Sequence, residues 1–445
     1  MDKRIILLVI LLAAVFLRFY PAVQSDEMLK FDSYYHARTA ELIKEEGFVK
    51  YEPYPYGGKP LLYPPGYHLL LIFFSFLGFE LFSLAEFMLA FIFVICIIGS
   101  YWLVKKHSNE KAALITAFLL AVNPVLITES FGSPQVIGFL FFLAAVHFYF
   151  EKKHVLSGLT MGACFWFTPM GAFFFSLPII ILSVSKRKKQ TRKFILPALA
   201  VSALWLLTRV EFLYSLSSSA FDFFAVKIPF QQFINPWYLL LVALVIPFTK
   251  CRNDFQKIFL ILAVSSFIFY LSFAFTNVFH PWRQTFFLMI GLSFLAADVF
   301  SKNKKMLVAF SAVCLFLIYA LSFPGLSPAD FRAIQQFENN DLVLAGHDTC
   351  AVIMANTEAQ CMLDICFESI GNEKQFKDMQ SFLWASKPEQ VTETIGNYGF
   401  NKVMIGSDAW GESILNEFDV NKNYISFECW GDYCMKPASI YEVIR

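Results

Sequence analysis

The sequence is built from long apolar runs separated by short segments rich in lysine and arginine. Most of the runs are long enough for a helix to cross the ~30 Å hydrocarbon core of a membrane. Only 16% of the 445 residues are charged and 57% are hydrophobic, whereas soluble proteins average about a quarter charged. The chain is therefore predicted to be a polytopic, all-α integral membrane protein over most of its length.

The apolar runs predict about eleven transmembrane helices, the first a retained span rather than a cleaved signal peptide. Short cytoplasmic loops collect positive charge, and six basic segments fall on one side of this arrangement. The amino end is thus expected in the cytoplasm and the carboxyl end on the outer face. The predicted spans lie at roughly 4–22, 82–104, 111–128, 134–150, 155–168, 170–185, 194–213, 235–249, 258–277, 284–300 and 306–323.

One further apolar segment, YPPGYHLLLIFFSFLGFELF at 63–82, is not counted as a span. A full crossing there would move every later basic segment to the outer face. We therefore predict a helix that lies at, or dips into, the outer interface. The first outer loop then runs over 23–81, and ordered loops of this length are usually functional.

The composition changes after Pro324, which divides the chain into a membrane domain (1–323) and a small extracytoplasmic domain (324–445). In the second domain, short apolar runs such as LVLAG and KVMIG alternate with polar, helix-prone stretches, a pattern typical of an α/β fold. Cysteines outside the cytoplasm can pair, and Cys429 and Cys434 are the disulfide candidates. A zinc site is the rival interpretation, disfavoured because the sequence has no CxxC pair.

Charged side chains cluster in FDSYYHARTAE at 31–41, close behind the first span. A helix is predicted from about Ser33 to a stop at Gly47, with Asp32 at the N-cap or just before it. Asp32 either caps this helix or acts as a general base or a metal ligand. His36 is either a structural hydrogen-bonding residue or a ligand, and Arg38 contacts either phosphate or an acidic neighbour.

A first span ending in LRFYP, then FDSYYHARTAELIKEEGF and GGKPLLYPPGYHLLL, resembles the first outer loop of GT-C superfamily membrane glycosyltransferases. The likeness is greatest to archaeal oligosaccharyltransferase catalytic subunits. It implies a GT-C-like membrane domain and a sugar donor linked to a polyprenyl (dolichyl) phosphate. Asp32 becomes the expected catalytic base or metal ligand, and His36, Arg38 and His68 become candidate substrate-binding residues.

Two other outer loops fit the same family. Glu129, in NPVLITESFGSPQVIGF, occupies the loop in which the superfamily often has an acidic residue, and is the second catalytic candidate; its alternative is a polar cap at the interface. His280 and Arg283, in NVFHPWRQ, resemble an HPRY-type segment of transferases that use lipid-linked sugars. The planar fork of an arginine suits a lipid phosphate; the alternative for Arg283 is an interfacial anchor.

Two motifs of the oligosaccharyltransferases are missing from the sequence. Residues 325–445 contain no WWDYG, and the second outer loop offers Glu129 where those enzymes have a pair of acids. The expected function is therefore inverting transfer of a sugar from a lipid carrier to another acceptor: a glycan, a lipid or a protein. The expected partners are the lipid-linked donor and membrane lipid, with no nucleic acid.

Several alternatives to this function stay open. They are an oligosaccharyltransferase of N-glycosylation, a non-enzymatic lipid or solute transporter, and an inactive paralogue. The cofactor is equally open: Mg²⁺ or Mn²⁺ would suit carboxylate ligands, but the lone acid in the second loop disfavours an obligatory metal.

Overall fold

The computed structural model describes residues 2–24, 31–48, 51–52, 59–61, 63–186, 188–208, 245–249, 253–276 and 281–302, and beyond these only isolated residues and short strands. Within this part the helices are α1 (Lys3–Gln24), α2 (Phe31–Glu46), α3 (Gly66–Ser75), α4 (Leu81–His107), α5 (Glu110–Val122), α6 (Pro124–Thr128), α7 (Gln135–Phe150), α8 (His154–Phe165), α9 (Pro169–Lys186), α10 (Lys188–Thr208), α11 (Asp254–Thr276) and α12 (Pro281–Lys302). A two-stranded ladder, β1 (Tyr51–Glu52) with β2 (Lys59–Pro60), lies in the first predicted loop.

In the described part of the chain, five helices are long and apolar enough to cross a membrane: α1, α4, α9, α11 and α12. The predicted multi-pass helical architecture is therefore confirmed. The number of eleven spans stays a prediction. Two of those spans, 235–249 and 306–323, fall largely outside the described residues, and the end of a third, 194–213, does so as well.

The predicted span 111–128 is wrong as a single helix. It is broken at Asn123 into α5 and α6, because the residue before a proline is driven out of the helical conformation and proline has no N–H to donate. The backbone of Asn123 is extended (φ −72°, ψ 120°), and its side chain accepts a 3.3 Å hydrogen bond from the Leu126 N–H. One residue thus ends α5 and caps α6.

The segment 63–82 forms α3, which has only ten residues. At 1.5 Å per residue this helix is roughly 15 Å long, about half the thickness of the hydrocarbon core. The length agrees with the prediction that the segment does not cross the membrane, and its interfacial position stays a prediction.

Ion pairs and hydrogen bonds link the predicted basic segments to one another at one end of the helix bundle, which is called here the basic end. Glu110 accepts hydrogen bonds from Lys3 (2.7 Å) and Lys105 (2.9 Å). These two bonds lower the pKa of Glu110 to about 2. Further links at this end join Lys106 to Glu151, Lys186 to Asp254, and Lys111 to the carbonyl oxygen of Ser301. The opposite end, which holds α2 and α3, is called the site end.

Phenylalanine rings fill the interior between α7, α9, α11 and α12. Phe142 stacks on Phe175 with ring centroids 4.7 Å apart, and Phe174 stacks on Phe287 at 4.9 Å. Such pairs add about 0.5–1.5 kcal/mol beyond the burial of their area. The aromatic layer fixes the relative heights of these four helices, and so of the side chains at the site end.

The carboxyl-terminal region contributes strands β3 (Leu342–Leu344), β4 (Gln360–Cys361), β5 (Lys402–Ile405), β6 (Val420–Ser426), β7 (Cys429–Trp430), β8 (Tyr433–Cys434) and β9 (Ala438–Val443). Five of them form a sheet in the order β4-β3-β5-β9-β6, parallel around β3 and antiparallel around β9. The predicted helices of this domain lie outside the described residues, so the α/β domain stays a prediction. The backbone register of β7 and β8 places Cys429 opposite Cys434, and their disulfide stays a prediction too.

Candidate active site

Asp32 lies in the first turn of α2, which begins at Phe31. The prediction that Asp32 is the N-cap is therefore wrong by one or two residues. A carboxylate in the first turn still interacts favourably with the positive end of the helix dipole, and the residue is half-buried. The predicted stop is confirmed: Gly47 has a φ of +82°, a conformation that favours glycine, and its N–H donates to the Ile43 oxygen at 2.9 Å.

A hydrogen bond joins the first and second predicted outer loops. The Ser33 hydroxyl donates to the carbonyl oxygen of Phe131 at 2.9 Å, and both residues are fully buried. Ser33 follows Asp32 directly, and Phe131 lies just beyond Glu129. The structure thus brings together the two segments that carry the acidic candidates.

Glu129 ends α6, and its backbone N–H bonds to the Val125 oxygen at 2.9 Å. The polar-cap alternative therefore accounts for the backbone of this residue. Its side chain is half-buried rather than exposed, which leaves the carboxylate at the junction of the two loops. The position suits either structural or catalytic use of the carboxylate.

The two predicted substrate-binding histidines of this region face each other. His36 Nδ1 lies 3.0 Å from His68 Nε2, and the residues are 1% and 0% exposed. The rings of Tyr35, Tyr63 and Tyr67 surround the pair within 5.0–6.4 Å. Because the pair links α2 to α3 and is closed to solvent, the geometry favours a structural role over direct contact with substrate.

Burial lowers the pKa of His68 to about 3. The imidazole is therefore neutral at physiological pH, and one ring of the pair donates while the other accepts. Burial, together with the charge of Glu86, also raises the pKa of Tyr67 well above its usual value. His68 and Tyr67 are thus held in their uncharged forms.

Arg38 is partly exposed and forms a 3.2 Å ion pair with Glu41, one turn further along α2. The acidic-neighbour alternative for Arg38 is therefore observed. A partly solvent-exposed pair of this kind, one turn apart on a helix, contributes about 0.3–0.5 kcal/mol.

The turn that follows α8 packs against the start of α3. The Gly66 N–H donates to the Trp166 oxygen at 2.8 Å. A Cβ at residue 66 would lie 2.5 Å from that same oxygen, so only glycine permits this approach. The contact fixes the start of α3, and with it the position of His68.

Arg283 belongs to the first turn of α12. Because Ser301 lies at the basic end, the start of α12 is at the site end, where α12 packs against α6. The backbone thus places Arg283 at the same end as Glu129. His280 lies outside the described residues.

The sequence analysis missed the role of Arg18, which is fully buried in α1. Its guanidinium donates to the carbonyl oxygens of Leu120 (3.0 Å) and Ala121 (2.9 Å) and stands 4.4 Å from the centroid of the Phe93 ring. These carbonyls lose their helical partners at the break before Pro124, so Arg18 replaces the missing N–H groups. An arginine inside an apolar run was the available signal.

Glu86 was missed as well. It lies on α4 and is 5% exposed, next to Ala85, whose carbonyl oxygen receives the Tyr67 hydroxyl at 3.4 Å. An acidic residue inside a predicted span is a functional candidate by default. Its position places a third acid near the junction of α2, α3 and α4.

The acidic and histidine side chains of the site are the donors that a metal ion would need. Within the residues that the structure describes, no three His, Cys, Asp or Glu side chains are grouped closely enough to hold one. Among the described residues, Asp32 and Glu129 would supply fewer ligands than a metal centre in a protein usually has.

Comparison with known proteins places the site in context. Residues 1–133 match the family model described as oligosaccharyl transferase STT3, N-terminal, a range that contains both Asp32 and Glu129. No curated protein matches the chain by sequence. Over this range the chain is similar to the oligosaccharyl transferase STT3 family. The resemblance predicted from the sequence is thereby confirmed.

Solved GT-C structures share the fold. The oligosaccharyltransferase of Archaeoglobus fulgidus superposes with a TM-score of 0.58 at 14% identity, covering 91% of this chain and 70% of that one. ArnT from Cupriavidus metallidurans superposes with a TM-score of 0.56 at 12% identity, covering 99% of this chain and 96% of ArnT. The mycobacterial arabinofuranosyltransferase AftD superposes with a TM-score of 0.52 at 11% identity, covering 100% of this chain and 41% of AftD. The archaeal enzyme has also been solved with zinc and sulfate, and with an inhibitory peptide and a dolichol-phosphate.

Proposed function

We propose that this GT-C homologue transfers a sugar from a polyprenyl phosphate-linked donor to an acceptor hydroxyl on the extracytoplasmic face of the membrane. The observation that carries the proposal is the Ser33–Phe131 hydrogen bond, which joins the loops of Asp32 and Glu129. Both loops fall within the range of the STT3 family match. The dolichol-phosphate bound by the archaeal relative supports a lipid-linked donor.

In the proposed reaction, Asp32 accepts the proton of the acceptor hydroxyl as its oxygen attacks the anomeric carbon. The bond from that carbon to the phosphate oxygen breaks, and its electron pair leaves with the lipid phosphate. A direct displacement of this kind inverts the anomeric configuration. A positioned general base contributes about 10²–10⁴-fold to such a step.

The leaving phosphate carries negative charge that needs an electrostatic partner. Arg283, at the start of α12, and Arg38, which is partly exposed and pairs with Glu41, are the proposed partners. Arginine can bind two phosphate oxygens at once, and poor solvation next to lipid strengthens the attraction. Glu129 is proposed to orient the acceptor against Asp32.

Oligosaccharyl transfer to asparagine is the second candidate. It is favoured by the STT3 family match and by the superposition on the archaeal enzyme. It is disfavoured by the absence of WWDYG and of the acid pair from the sequence. A peptide containing N-x-S/T separates the two candidates, because only an oligosaccharyltransferase would glycosylate its asparagine.

The proposed function is tested with purified full-length protein in lipid nanodiscs. Dolichyl phosphates carrying a radiolabelled sugar are supplied with three acceptors: an N-x-S/T peptide, an oligosaccharide and a membrane lipid extract. We expect label to move from the carrier to the oligosaccharide or lipid with the native protein and not with Asp32→Asn. Failure to consume any donor, or equal turnover by Asp32→Asn, contradicts the proposal.

A further inference from the structure

Two glutamines at the site end carry buried amide groups that lack normal partners. Gln284, in the first turn of α12, is 0% exposed, and neither its Nε2 nor its Oε1 has a hydrogen-bond partner among the described residues. Gln135, the first residue of α7, is 5% exposed. Its Oε1 is likewise unpartnered in the described part of the chain, and its Nε2 meets only the Met170 sulfur, at 4.0 Å.

Buried amides left unpaired are costly, since they give up their hydrogen bonds to water without replacement. Native proteins therefore pair nearly all buried polar groups, and the exceptions point to a bound water, an ion or a function. A thioether is a weak acceptor, so the contact with Met170 does not compensate Gln135. The two amides would therefore be satisfied by a bound polar group that forms hydrogen bonds with them.

The two amides lie at the same height in the bundle. On α12, Gln284 is one helical turn closer to the site end than Phe287. On α9, Met170 is likewise one turn closer to the site end than Phe174. Because α9 and α12 run in the same direction and Phe174 stacks on Phe287, Gln284 and Met170 are level with each other. Gln135 reaches Met170 and so belongs to the same layer.

This layer adjoins the candidate active site. The loop that carries Glu129 leads into Gln135, and Gln284 follows Arg283, the proposed phosphate-binding residue, along the first turn of α12. A group bound by the two amides would therefore be close to the phosphate and to the acidic residues.

We propose that Gln135 and Gln284 form a hydroxyl-binding subsite for the sugar of the lipid-linked donor. A carboxamide both donates and accepts hydrogen bonds, which matches the hydroxyl groups of a sugar and suits a neutral ligand better than a phosphate. The inference rests on the proposed function and deepens it, since it assigns recognition of the sugar to residues separate from those proposed for the phosphate.

The test compares bare dolichyl phosphate with dolichyl phosphates carrying glucose, mannose or galactose. Binding is measured on the full-length protein in nanodiscs for the native chain, Gln135→Leu and Gln284→Leu. Gln190→Leu is the matched control, because Gln190 is half-buried on α10, near the basic end. The melting temperature without ligand is measured for each protein.

We expect the native protein and Gln190→Leu to bind at least one glycosylated carrier more tightly than the bare one. Gln135→Leu and Gln284→Leu should each lose about five- to tenfold of that preference, the effect of one or two hydrogen bonds, and bind bare dolichyl phosphate unchanged. Without ligand, both variants should melt at a higher temperature than the native protein, since an unpaired amide is replaced by an apolar group.

Two results would overturn the inference alone. A lower melting temperature of the ligand-free variants would mean that ordered water or protein already satisfies the amides. An undiminished preference for the glycosylated carrier would mean that the sugar binds elsewhere. If the native protein shows no preference for any glycosylated carrier, the proposed donor fails and the subsite fails with it, an outcome distinct from the other two.

Discussion

The Ser33 hydroxyl donates a 2.9 Å hydrogen bond to the Phe131 carbonyl oxygen and so couples two loops that are 98 positions apart in sequence. Both ends of the bond are buried. The residues next to it are the acidic candidates, Asp32 on one side and Glu129 just before the other. Catalysis by these acids would depend on this bond, because it fixes their relative positions while taking no part in the chemistry.

Replacing Ser33 with alanine should therefore affect both stability and turnover. The buried Phe131 carbonyl would lose the hydrogen bond from Ser33, which costs about 1–3 kcal/mol of folding free energy, and donor turnover should fall. Ser75→Ala is the matched control, since Ser75 bonds only within its own helix, to the Ile72 oxygen at 2.9 Å. Melting temperature and turnover measure the two effects; equal behaviour of both variants would argue against coupling of the loops.

Asp32→Asn should abolish most of the turnover and leave the fold intact. An asparagine is close to aspartate in shape and supports the start of a helix, but it cannot accept the acceptor's proton. We expect about a 10²–10⁴-fold loss of the rate constant for transfer, with little change in the melting temperature. Glu45→Gln, an exposed change on the same helix, is the control, and should retain native turnover.

Gly66→Ala should destabilise the site end through steric overlap. The added Cβ would lie 2.5 Å from the Trp166 oxygen, a backbone atom that cannot rotate away. Overpacking of this kind typically costs about 1–3 kcal/mol. Gly99→Ala in α4 is the control, because its Cβ would meet only the flexible end of Leu143 at 3.4 Å. A melting temperature for Gly66→Ala equal to that of the control would show that α3 and the turn after α8 are not in close contact.

The folding stability should depend on pH through His68. Burial lowers its pKa to about 3 from the usual 6.5, so between these values the unfolded chain binds up to one proton more than the folded chain. The free energy of unfolding therefore falls as the pH drops below about 6.5, by at most about 1.4 kcal/mol per pH unit for this group. Above that pH the group has no effect.

This dependence is measured by comparing the melting temperatures of the native protein and His68→Gln at about pH 7.5 and about pH 5. The histidines outside the His36–His68 pair are common to both proteins, so the difference between the two pH slopes reports on this pair. We expect a shallower slope for His68→Gln. Parallel slopes would show that the His36–His68 pair is solvated rather than buried.

Local features of this fold could be predicted from the sequence, and long-range ones could not. The helical stop at Gly47 and a helix within 63–82 were predicted from the sequence, and the apolar runs LVLAG and KVMIG contain the strands at 342–344 and 402–405. The break at Asn123 was missed because apolar residues continue on both sides of it. An apolar run signals membrane burial but does not show whether the helix within it is continuous.

In the candidate site, too, the local features could be predicted from the sequence and the long-range contacts could not. The resemblance selected His36 and His68, but their contact joins positions 32 apart, and no local pattern reveals that two polar residues will satisfy each other in the interior. For the same reason the partners of Arg18 could not be predicted. The arginine is easily noticed in an apolar run, but the carbonyl oxygens that it binds become available only at a helix break about a hundred residues later.

The contact of Arg18 has a consequence for the order in which the protein assembles. During synthesis α1 leaves the ribosome long before Ala121, 103 positions later, exists to receive its guanidinium. Until then the charge must reach toward lipid headgroups or water, since an arginine deep in the bilayer costs about 2.5–3.5 kcal/mol on insertion scales. We expect chains truncated after α1 to integrate less completely than the same chains with Arg18→Leu, and this difference to disappear once α5 has been made. A helix that is synthesised early, α1, would then be among the last to reach its final position in the bundle.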